Sequence, residues 1–349
     1  MKRSDDLEPV HSAGRAAPPD LIHGGALDEL KRAFPDAPQP WLDLSTGINP
    51  FPYPNTAVSP ASLQDLPTAS GDHTCRSALA KSIGAPPDTI LLAPGSELLI
   101  RLLPQVLALR TVAVLAPTYG DHSVVWEAAG CTVINTSEPL ARCDEVDAVV
   151  LCNPNNPDGR CFQRDELEQA RRQLAEKGGW LIVDEAYTYL DPALSLAPAT
   201  GRDGLLVLRS MGKFYGLAGL RLGAVLGPPR VLSDIRSLLG VWPVSGAALE
   251  IATRAYADVH WQSHTRSTLR EARERLNSIL TDHGLEVAGG TSLFAYARTA
   301  DAHRLWCSLA ESGIYVRRFS WSQEHIRIGL PQDKLAETRL SATLAGLSA

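Results

Sequence analysis

Four short apolar runs constrain the fold of this chain more than any other feature of its sequence. The runs are residues 111–115, 147–152, 180–184 and 205–209, and helix-like stretches separate them. Near-continuous apolar strands without strict polar alternation are typical of a mainly parallel sheet that helices cover on both faces. The sequence therefore predicts an α/β fold in which these runs are strands of one sheet.

The length and the changing pattern along the chain predict two folded domains. A chain of 349 residues with 44% hydrophobic residues is long enough for a second domain. The first twenty residues are charged and rich in Ala and Pro, and the prolines between residues 50 and 60 indicate an extended crossing segment. We predict four segments: a flexible arm (1–20), a segment joining the small domain (21–50), a large domain (51–245) and a small C-terminal α+β domain (246–349).

The composition predicts a cytoplasmic protein that binds neither nucleic acid nor a membrane. The net charge of -6 leaves no basic surface for nucleic acid or anionic lipid. The chain has no secretory signal at its start and no stretch of about 18 apolar residues. The six cysteines form no CxxC pair and lack histidines at metal spacing, which predicts reduced thiols and no metal.

Asp184 ends one of the apolar runs, and ligands of open α/β sheets bind where the strands end. A carboxylate next to buried strand residues costs free energy unless a cation neutralises it. A helix N-cap or a structural ion pair would meet this need, and so would a cationic ligand group. Tyr187, three residues later, is either a ligand-contacting hydroxyl or an ordinary packing residue.

Two further segments follow apolar runs. Residues 153–159 read Asn-Pro-Asn-Asn-Pro-Asp-Gly, and their two prolines and glycine specify a rigid backbone that would hold Asn156 in place. The same residues also suit an ordinary tight turn. Tyr119 follows the run 111–115, where its ring either stacks on a ligand or packs against the protein.

A glycine turn and two polar residues on either side of Lys213 form a candidate binding site for an anion. Gly95, Ser96 and Glu97 open an apolar helix, and free N–H groups at a helix N-terminus bind phosphate. Ser96 is equally explained as a plain N-cap. Ser210 and Arg221 would add a hydroxyl and a guanidinium to the same anion site.

Lys213 lies on a glycine-rich segment and precedes Phe214 rather than the Ser or Thr of a nucleotide-binding loop. The order of Lys213 and the other motifs along the chain resembles the order found in the fold-type I superfamily of pyridoxal-phosphate aminotransferases. The motifs that carry this resemblance are residues 94–97, 153–159, 184–187 and 210–223.

The resemblance implies the cofactor pyridoxal 5'-phosphate and a role for each candidate residue. Lys213 would bind the cofactor covalently. Asp184 would pair with the protonated ring nitrogen, an attraction of about 4 kcal/mol at about 4 Å and an effective dielectric near 20. Tyr187 and Asn156 would hydrogen-bond the phenolic oxygen, and Tyr119 would stack on the ring. The phosphate would bind the glycine turn and the lysine loop, at Gly95, Ser96, Glu97, Ser210 and Arg221.

Residues 23–25 (His-Gly-Gly) and 42–50 (Leu-Asp-Leu-Ser-Thr-Gly-Ile-Asn-Pro) narrow the resemblance. They look like the threonine-phosphate decarboxylases of cobalamin synthesis, which branch from the histidinol-phosphate aminotransferases. This implies decarboxylation of L-threonine O-3-phosphate to aminopropanol phosphate. Two alternatives stay open: an aminotransferase acting on histidinol phosphate or a related phosphorylated amine, and a non-catalytic regulator.

The same resemblance implies which residues bind the substrate. Arg317 would bind the substrate phosphate and Arg327 the carboxylate. His23 and Asn49 are further candidates in the N-terminal segment. Arg318, beside Arg317, is interpreted as a solvated charge.

The family's active sites lie at a subunit boundary, so the resemblance also implies a homodimer. Many relatives have a Tyr-Pro pair whose tyrosine reaches the cofactor phosphate of the partner subunit. This chain has Leu66-Pro67 at the matching place. One contact between subunits is therefore missing from the expected pattern.

Overall fold

The computed structural model describes residues 24–348. The strands in this part of the chain are β1 (Leu42–Leu44), β2 (Ile90–Ala93), β3 (Thr111–Leu115), β4 (Thr132–Thr136), β5 (Ala148–Cys152), β6 (Trp180–Asp184), β7 (Leu205–Ser210), β8 (Gly223–Leu226), β9 (Glu286–Thr291), β10 (Phe294–Arg298), β11 (Ile314–Phe319) and β12 (Ser322–Gly329). The α-helices are α1 (Leu27–Ala33), α2 (Ala61–Gln64), α3 (Ala69–Ile83), α4 (Ser96–Leu107), α5 (Asp121–Ala128), α6 (Arg164–Glu176), α7 (Pro229–Leu239), α8 (Gly246–Ala257), α9 (Val259–Asp282), α10 (Ala302–Glu311) and α11 (Lys334–Ser348). None of the helices in residues 24–348 combines the length and the apolar character that a membrane span needs.

The large sheet has seven strands in the order β2–β8–β7–β6–β5–β3–β4. β8 is antiparallel to both of its neighbours, and the other neighbouring pairs are parallel. The four apolar runs form β3, β5, β6 and β7, which confirms the predicted mainly parallel sheet. β2, β4 and β8 are further strands of this sheet that were not predicted from the sequence.

Both faces of the large sheet are covered by apolar side chains. Along β5, Val149 and Leu151 belong to one hydrophobic cluster, whereas Ala148 and Val150 belong to the other. Successive side chains of a strand point to opposite faces. A strand buried on both faces therefore needs apolar residues at every position, which is why these runs lack polar alternation.

The small sheet has five strands in the order β1–β11–β12–β10–β9, so a strand from the N-terminal part of the chain lies at its edge. β1 pairs with β11 in parallel, and β10–β12, β10–β9 and β11–β12 are antiparallel. Together with the large sheet, this α+β unit matches the predicted fold class.

The proline-rich segment after β1 crosses from the small sheet to the large one and contacts the loop that carries Lys213. The N–H of Asn49 donates to the carbonyl oxygen of Lys213, and the N–H of Tyr53 donates to that of Tyr215. Further along the chain, α8 packs on α3, and α9 packs on β9 and β10 of the small sheet. The crossing segment therefore joins the two sheets at the lysine loop.

Candidate active site

A cleft of about 910 Å³ lies at the carboxyl ends of the large-sheet strands and reaches β11 and β12 of the small sheet. All ten residues predicted to bind a cofactor line it, together with Arg317 and Arg327. Residues far apart in sequence meet here because the carboxyl ends of parallel strands share one edge of the sheet. His23 lies outside the described residues, so its predicted role stays a prediction.

Asn49 is the predicted site residue that the structure places outside the cleft lining. Its side chain is buried behind the lysine loop, where Nδ2 donates to the Phe214 carbonyl oxygen and Oδ1 accepts from the Phe51 N–H, at 2.8 and 2.7 Å. Both polar groups of the amide are therefore used within the protein. These contacts show that Asn49 helps to fix the loop that carries Lys213, and its predicted substrate contact stays a prediction.

The Lys213 side chain enters the cleft on the loop that follows β7. Burial, followed by the nearby Arg327 guanidinium, lowers the pKa of the Lys213 amine to about 8. A larger fraction of this amine is therefore neutral near neutral pH than in an exposed lysine. Neutral amines are nucleophilic, so the environment of Lys213 suits covalent chemistry.

The N-terminus of α4 and Arg221 form a cradle that suits an anion. Gly95 has a φ of 88°, and a Cβ added there would lie 2.8 Å from Arg221 Nη2. A Cβ on Gly223 would lie 2.4 Å from the backbone nitrogen of Ser96, so both glycines are required for this close packing. Ser96 is the first residue of α4 and Gly95 is its N-cap, so the alternative that Ser96 is the N-cap is wrong.

Asp184 contacts two buried residues, His122 and Cys152, that were not predicted as site residues from the sequence. Its Oδ2 lies 3.1 Å from His122 Nε2 and 3.8 Å from Cys152 Sγ, and its Oδ1 accepts from the Ala186 N–H. Burial alone would lower the pKa of His122, but Cys152 and the Asp184 carboxylate outweigh it and raise this pKa to about 10. This contact fixes the position of the Asp184 carboxylate at the end of β6. No local sequence signal points to His122, because it is 62 residues from Asp184 and lies in a helix rather than at a strand end.

Tyr119 is held by two carboxylates and an arginine. Its hydroxyl donates to Glu97 Oε2 at 2.8 Å, and Asp121 Oδ2 lies 3.4 Å away. Arg101 bridges the pair, with Nε 2.8 Å from Glu97 Oε1 and Nη2 2.8 Å from Asp121 Oδ2. Burial and Glu97 raise the pKa of Tyr119, so the hydroxyl stays protonated and donates. The Glu97 carboxylate thus holds the Tyr119 ring rather than an anion.

Arg327 is buried and faces the same cleft. Its Nη1 donates to Asn156 Oδ1 and its Nη2 to the Ser45 carbonyl oxygen, both at 2.6 Å. Its guanidinium carbon lies 5.1 Å from the centre of the Phe294 ring, and burial lowers the pKa of this group. The buried Nε has no hydrogen-bond partner among the residues that the structure describes. A bound anion would satisfy that group.

Arg317 lies directly opposite Arg327 on the neighbouring strand, because β11 and β12 pair these two residues in register. Residues paired in this way lie on the same face of a sheet. Arg318 also lines the cleft, and its guanidinium packs over the Trp306 ring at 4.9 Å, so it is not simply a solvated charge.

Tyr187 reaches the cleft because Gly47 leaves room for its hydroxyl. A Cβ on Gly47 would lie 2.9 Å from Tyr187 Oη and 2.7 Å from an edge carbon of Phe294. The Tyr187 and Phe294 rings pack edge to face at 5.4 Å. The segment that suggested the closer resemblance therefore shapes the pocket around Tyr187.

Comparisons with known proteins identify the family of this chain. Residues 39–339 match the family model "Aminotransferase class I and II". The chain is 39% identical over 328 residues to a threonine-phosphate decarboxylase from Pseudomonas aeruginosa, covering 93% of this chain and 98% of that protein. It is 30% identical to a histidinol-phosphate aminotransferase from a Jannaschia species, covering 94% and 96%.

A solved structure has the same fold. The histidinol-phosphate aminotransferase from Sinorhizobium meliloti, in complex with pyridoxal-5'-phosphate, has a TM-score of 0.78 at 19% identity over 96% of both chains. The family model spans most of the chain, and the decarboxylase relative is well above 30% identical. This chain belongs to the aminotransferase class I and II family.

Proposed function

We propose that this chain is a pyridoxal-phosphate enzyme that decarboxylates L-threonine O-3-phosphate to aminopropanol phosphate. The observation that carries the proposal is the pair Arg317 and Arg327, opposite each other in register at the edge of the cleft that holds Lys213 and Asp184. Two guanidiniums suit a substrate with two anionic groups, a carboxylate and a phosphate. The 39% identity to a threonine-phosphate decarboxylase supports the same substrate.

The residues of the cleft fit pyridoxal phosphate. The Gly95 turn, the N-terminus of α4 and Arg221 form a cradle that a Cβ would fill, and this cradle suits the cofactor phosphate. Asp184, supported by His122, suits the ring nitrogen, and Lys213 suits covalent attachment. When bound, pyridoxal phosphate supplies an electron sink for a bond broken at the substrate α-carbon.

The chain's own residues position the substrate and move the proton. Arg327 would bind the carboxylate that leaves as carbon dioxide, and Arg317 would bind the phosphate. Loss of carbon dioxide leaves an electron pair that must receive a proton at the α-carbon. Lys213, with its pKa lowered to about 8 by burial and by Arg327, is suited to deliver this proton near neutral pH.

The experiment that tests this function compares decarboxylation with amino transfer. Purified protein with bound cofactor is incubated with threonine phosphate alone, and carbon dioxide and aminopropanol phosphate are measured. We expect both products without any keto-acid acceptor. If carbon dioxide is absent, and histidinol phosphate with 2-oxoglutarate gives glutamate, then the aminotransferase alternative is correct.

Replacing Arg317 and replacing Arg327 are expected to change substrate specificity in different ways. We expect Arg317→Ala to remove most of the preference for threonine phosphate over threonine, since a charge-assisted contact of about 1.5 to 3 kcal/mol, roughly 10- to 150-fold, is lost for one substrate only. Arg327→Ala should weaken both substrates alike. The measurement is the ratio of kcat/KM for the two amino acids in each variant. An unchanged ratio in Arg317→Ala would contradict the assignment and redirect attention to Arg318 or His23.

The contact between Glu97 and Tyr119 predicts coupled effects on cofactor affinity. We expect Tyr119→Phe and Glu97→Ala each to weaken cofactor binding by about 1 kcal/mol, roughly fivefold, because each frees the ring. The double variant should lose little more than either single one. Cofactor dissociation constants for the four proteins give the coupling, and Glu97→Gln, which keeps an acceptor, is the matched control. Fully additive losses would show that Glu97 acts independently of Tyr119.

We also propose, from the family resemblance, that the protein is a cytoplasmic homodimer. Val241 and Trp242, which precede α8, are 79% and 56% exposed, and Leu63 and Leu66 near α2 are 70% and 63% exposed. Such apolar side chains suit burial against a second copy. Sedimentation velocity of the purified protein tests this, and a monomer at micromolar concentration would rule it out.

A further inference from the structure

We propose that His122, Cys152 and Asp184 bind one divalent cation of the Zn²⁺ class when the cofactor is absent, so that metal and cofactor exclude each other. The three residues are buried, and one potential ligand atom from each lies within 4.8 Å of the other two. They offer an imidazole nitrogen, a sulfur and a carboxylate oxygen, which are the ligand types of protein zinc sites.

The spacing of these atoms suits a tetrahedral ion. His122 Nε2 lies 3.1 Å from Asp184 Oδ2 and 3.4 Å from Cys152 Sγ, and the sulfur lies 3.8 Å from the same oxygen. Zinc–ligand distances of about 2.0 to 2.3 Å give tetrahedral edges of roughly 3.3 to 3.8 Å. Shifts of a few tenths of an ångström would therefore bring all three atoms into coordination.

The ligands come from rigid elements. Cys152 and Asp184 are the last residues of the adjacent strands β5 and β6 and pair in register, and His122 lies in the first turn of α5. Such ligands need little reorganisation to bind a metal. Cys152 and Asp184 also line the cleft, which leaves room for water at a fourth coordination position.

The same geometry explains why metal and cofactor would compete. Asp184 is the residue proposed to pair with the cofactor ring nitrogen, and a cation bound to its Oδ2 would neutralise the carboxylate. A positively charged ring next to a bound Zn²⁺ would also be repelled. Binding would require the Cys152 thiol and the charged His122 imidazole each to lose a proton, because zinc binds a thiolate and a neutral imidazole.

Cobalt provides a direct spectroscopic test. The full-length chain, freed of pyridoxal phosphate, is titrated with Co²⁺ under reducing conditions. We expect one equivalent to give a thiolate-to-cobalt charge-transfer band and the intense visible bands of tetrahedral Co²⁺, and Zn²⁺ to abolish both. This arm does not depend on the proposed enzymatic function.

Two variants and a matched control identify the ligands. Cys152→Ser should remove the charge-transfer band and weaken Co²⁺ binding at least about 100-fold. The loss of a residue that only contacts a metal ligand weakens metal binding by about 10- to 100-fold, so the loss of a ligand itself should cost at least the upper value. His122→Asn should weaken binding to a similar extent and serves if Cys152→Ser does not fold. Cys307→Ser is the control, because Cys307 and His303 form a second Cys–His contact, at 3.7 Å, outside the cluster. Its spectrum should match that of the unmodified chain.

Competition completes the test, and only this arm depends on the proposed cofactor site. Protein loaded with pyridoxal phosphate should show no charge-transfer band, and increasing Zn²⁺ should slow cofactor uptake by the cofactor-free protein, followed by absorbance. A cobalt spectrum without the band, or the same band in Cys152→Ser, would overturn the metal site. Equal Co²⁺ affinity with and without cofactor would overturn the exclusion.

Discussion

Replacing Lys213 by alanine is expected to abolish covalent binding of pyridoxal phosphate and to reduce decarboxylation to the background rate. Among the described residues, Lys213 is the one lysine that lines the cleft. Its amine lies beside the anion cradle, Asp184 and Arg327. No other side chain that lines the cleft in the described part of the chain carries a primary amine. The measurement is borohydride reduction followed by mass mapping of the labelled peptide.

The sequence has six lysines, so the labelled position is easily identified. Lys177→Ala, which changes an exposed lysine at the end of α6, is the matched control and should keep the label at Lys213. Because burial and Arg327 lower the pKa of Lys213 to about 8, covalent attachment to the cofactor-free protein should speed up with rising pH and level off above about 8. A label on another lysine in the unmodified protein would refute the cofactor assignment.

Asp184→Asn is expected to reduce turnover by about 10²- to 10³-fold while the cofactor stays attached to Lys213. The substitution keeps the shape of the side chain and removes the charge that would hold the ring nitrogen protonated. That charge contributes about 4 kcal/mol at an effective dielectric near 20, and each 1.4 kcal/mol corresponds to a tenfold change in rate. The measurement is kcat together with the absorbance of bound cofactor.

Asp121→Asn is the matched control, because Asp121 is a second buried carboxyl that lines the same cleft. Its Oδ2 contacts Arg101 and lies near Tyr119, so its replacement should change turnover far less than Asp184→Asn does. Near-normal turnover in Asp184→Asn would show that the ring nitrogen is not held by this residue. Equal losses in both variants would indicate a general effect of charge in the cleft.

Local sequence patterns were enough to predict the central sheet and the residues at its edge. The runs that became β3, β5, β6 and β7 are apolar at nearly every position because both faces of the sheet are buried. Strands shorter or less apolar than these, such as β1 and β8, have no distinctive pattern. Their place in a sheet depends on the partner strand beside them, which local pattern does not specify.

The order of the motifs indicated the family and the residues that we propose as cofactor contacts, since each motif follows a strand and parallel strands end at one edge. Only the tertiary structure decided which of these residues line the cleft and which contact a neighbouring side chain or loop. In the folded chain, Glu97 accepts a hydrogen bond from the Tyr119 hydroxyl, and the buried amide of Asn49 donates one to the Phe214 carbonyl oxygen.

The tertiary structure also decided three pairings that the local sequence pattern did not specify. It placed Arg317 opposite Arg327, brought His122 to Asp184 across 62 residues, and brought Arg327 to Ser45 across 282 residues. The sequence by itself determined which side chains were available at the sheet edge, because strand period and turn chemistry act locally. The partners of those side chains depended on the packing of the two sheets and the crossing segment, because hydrogen bonds and burial between distant residues form only in the folded chain.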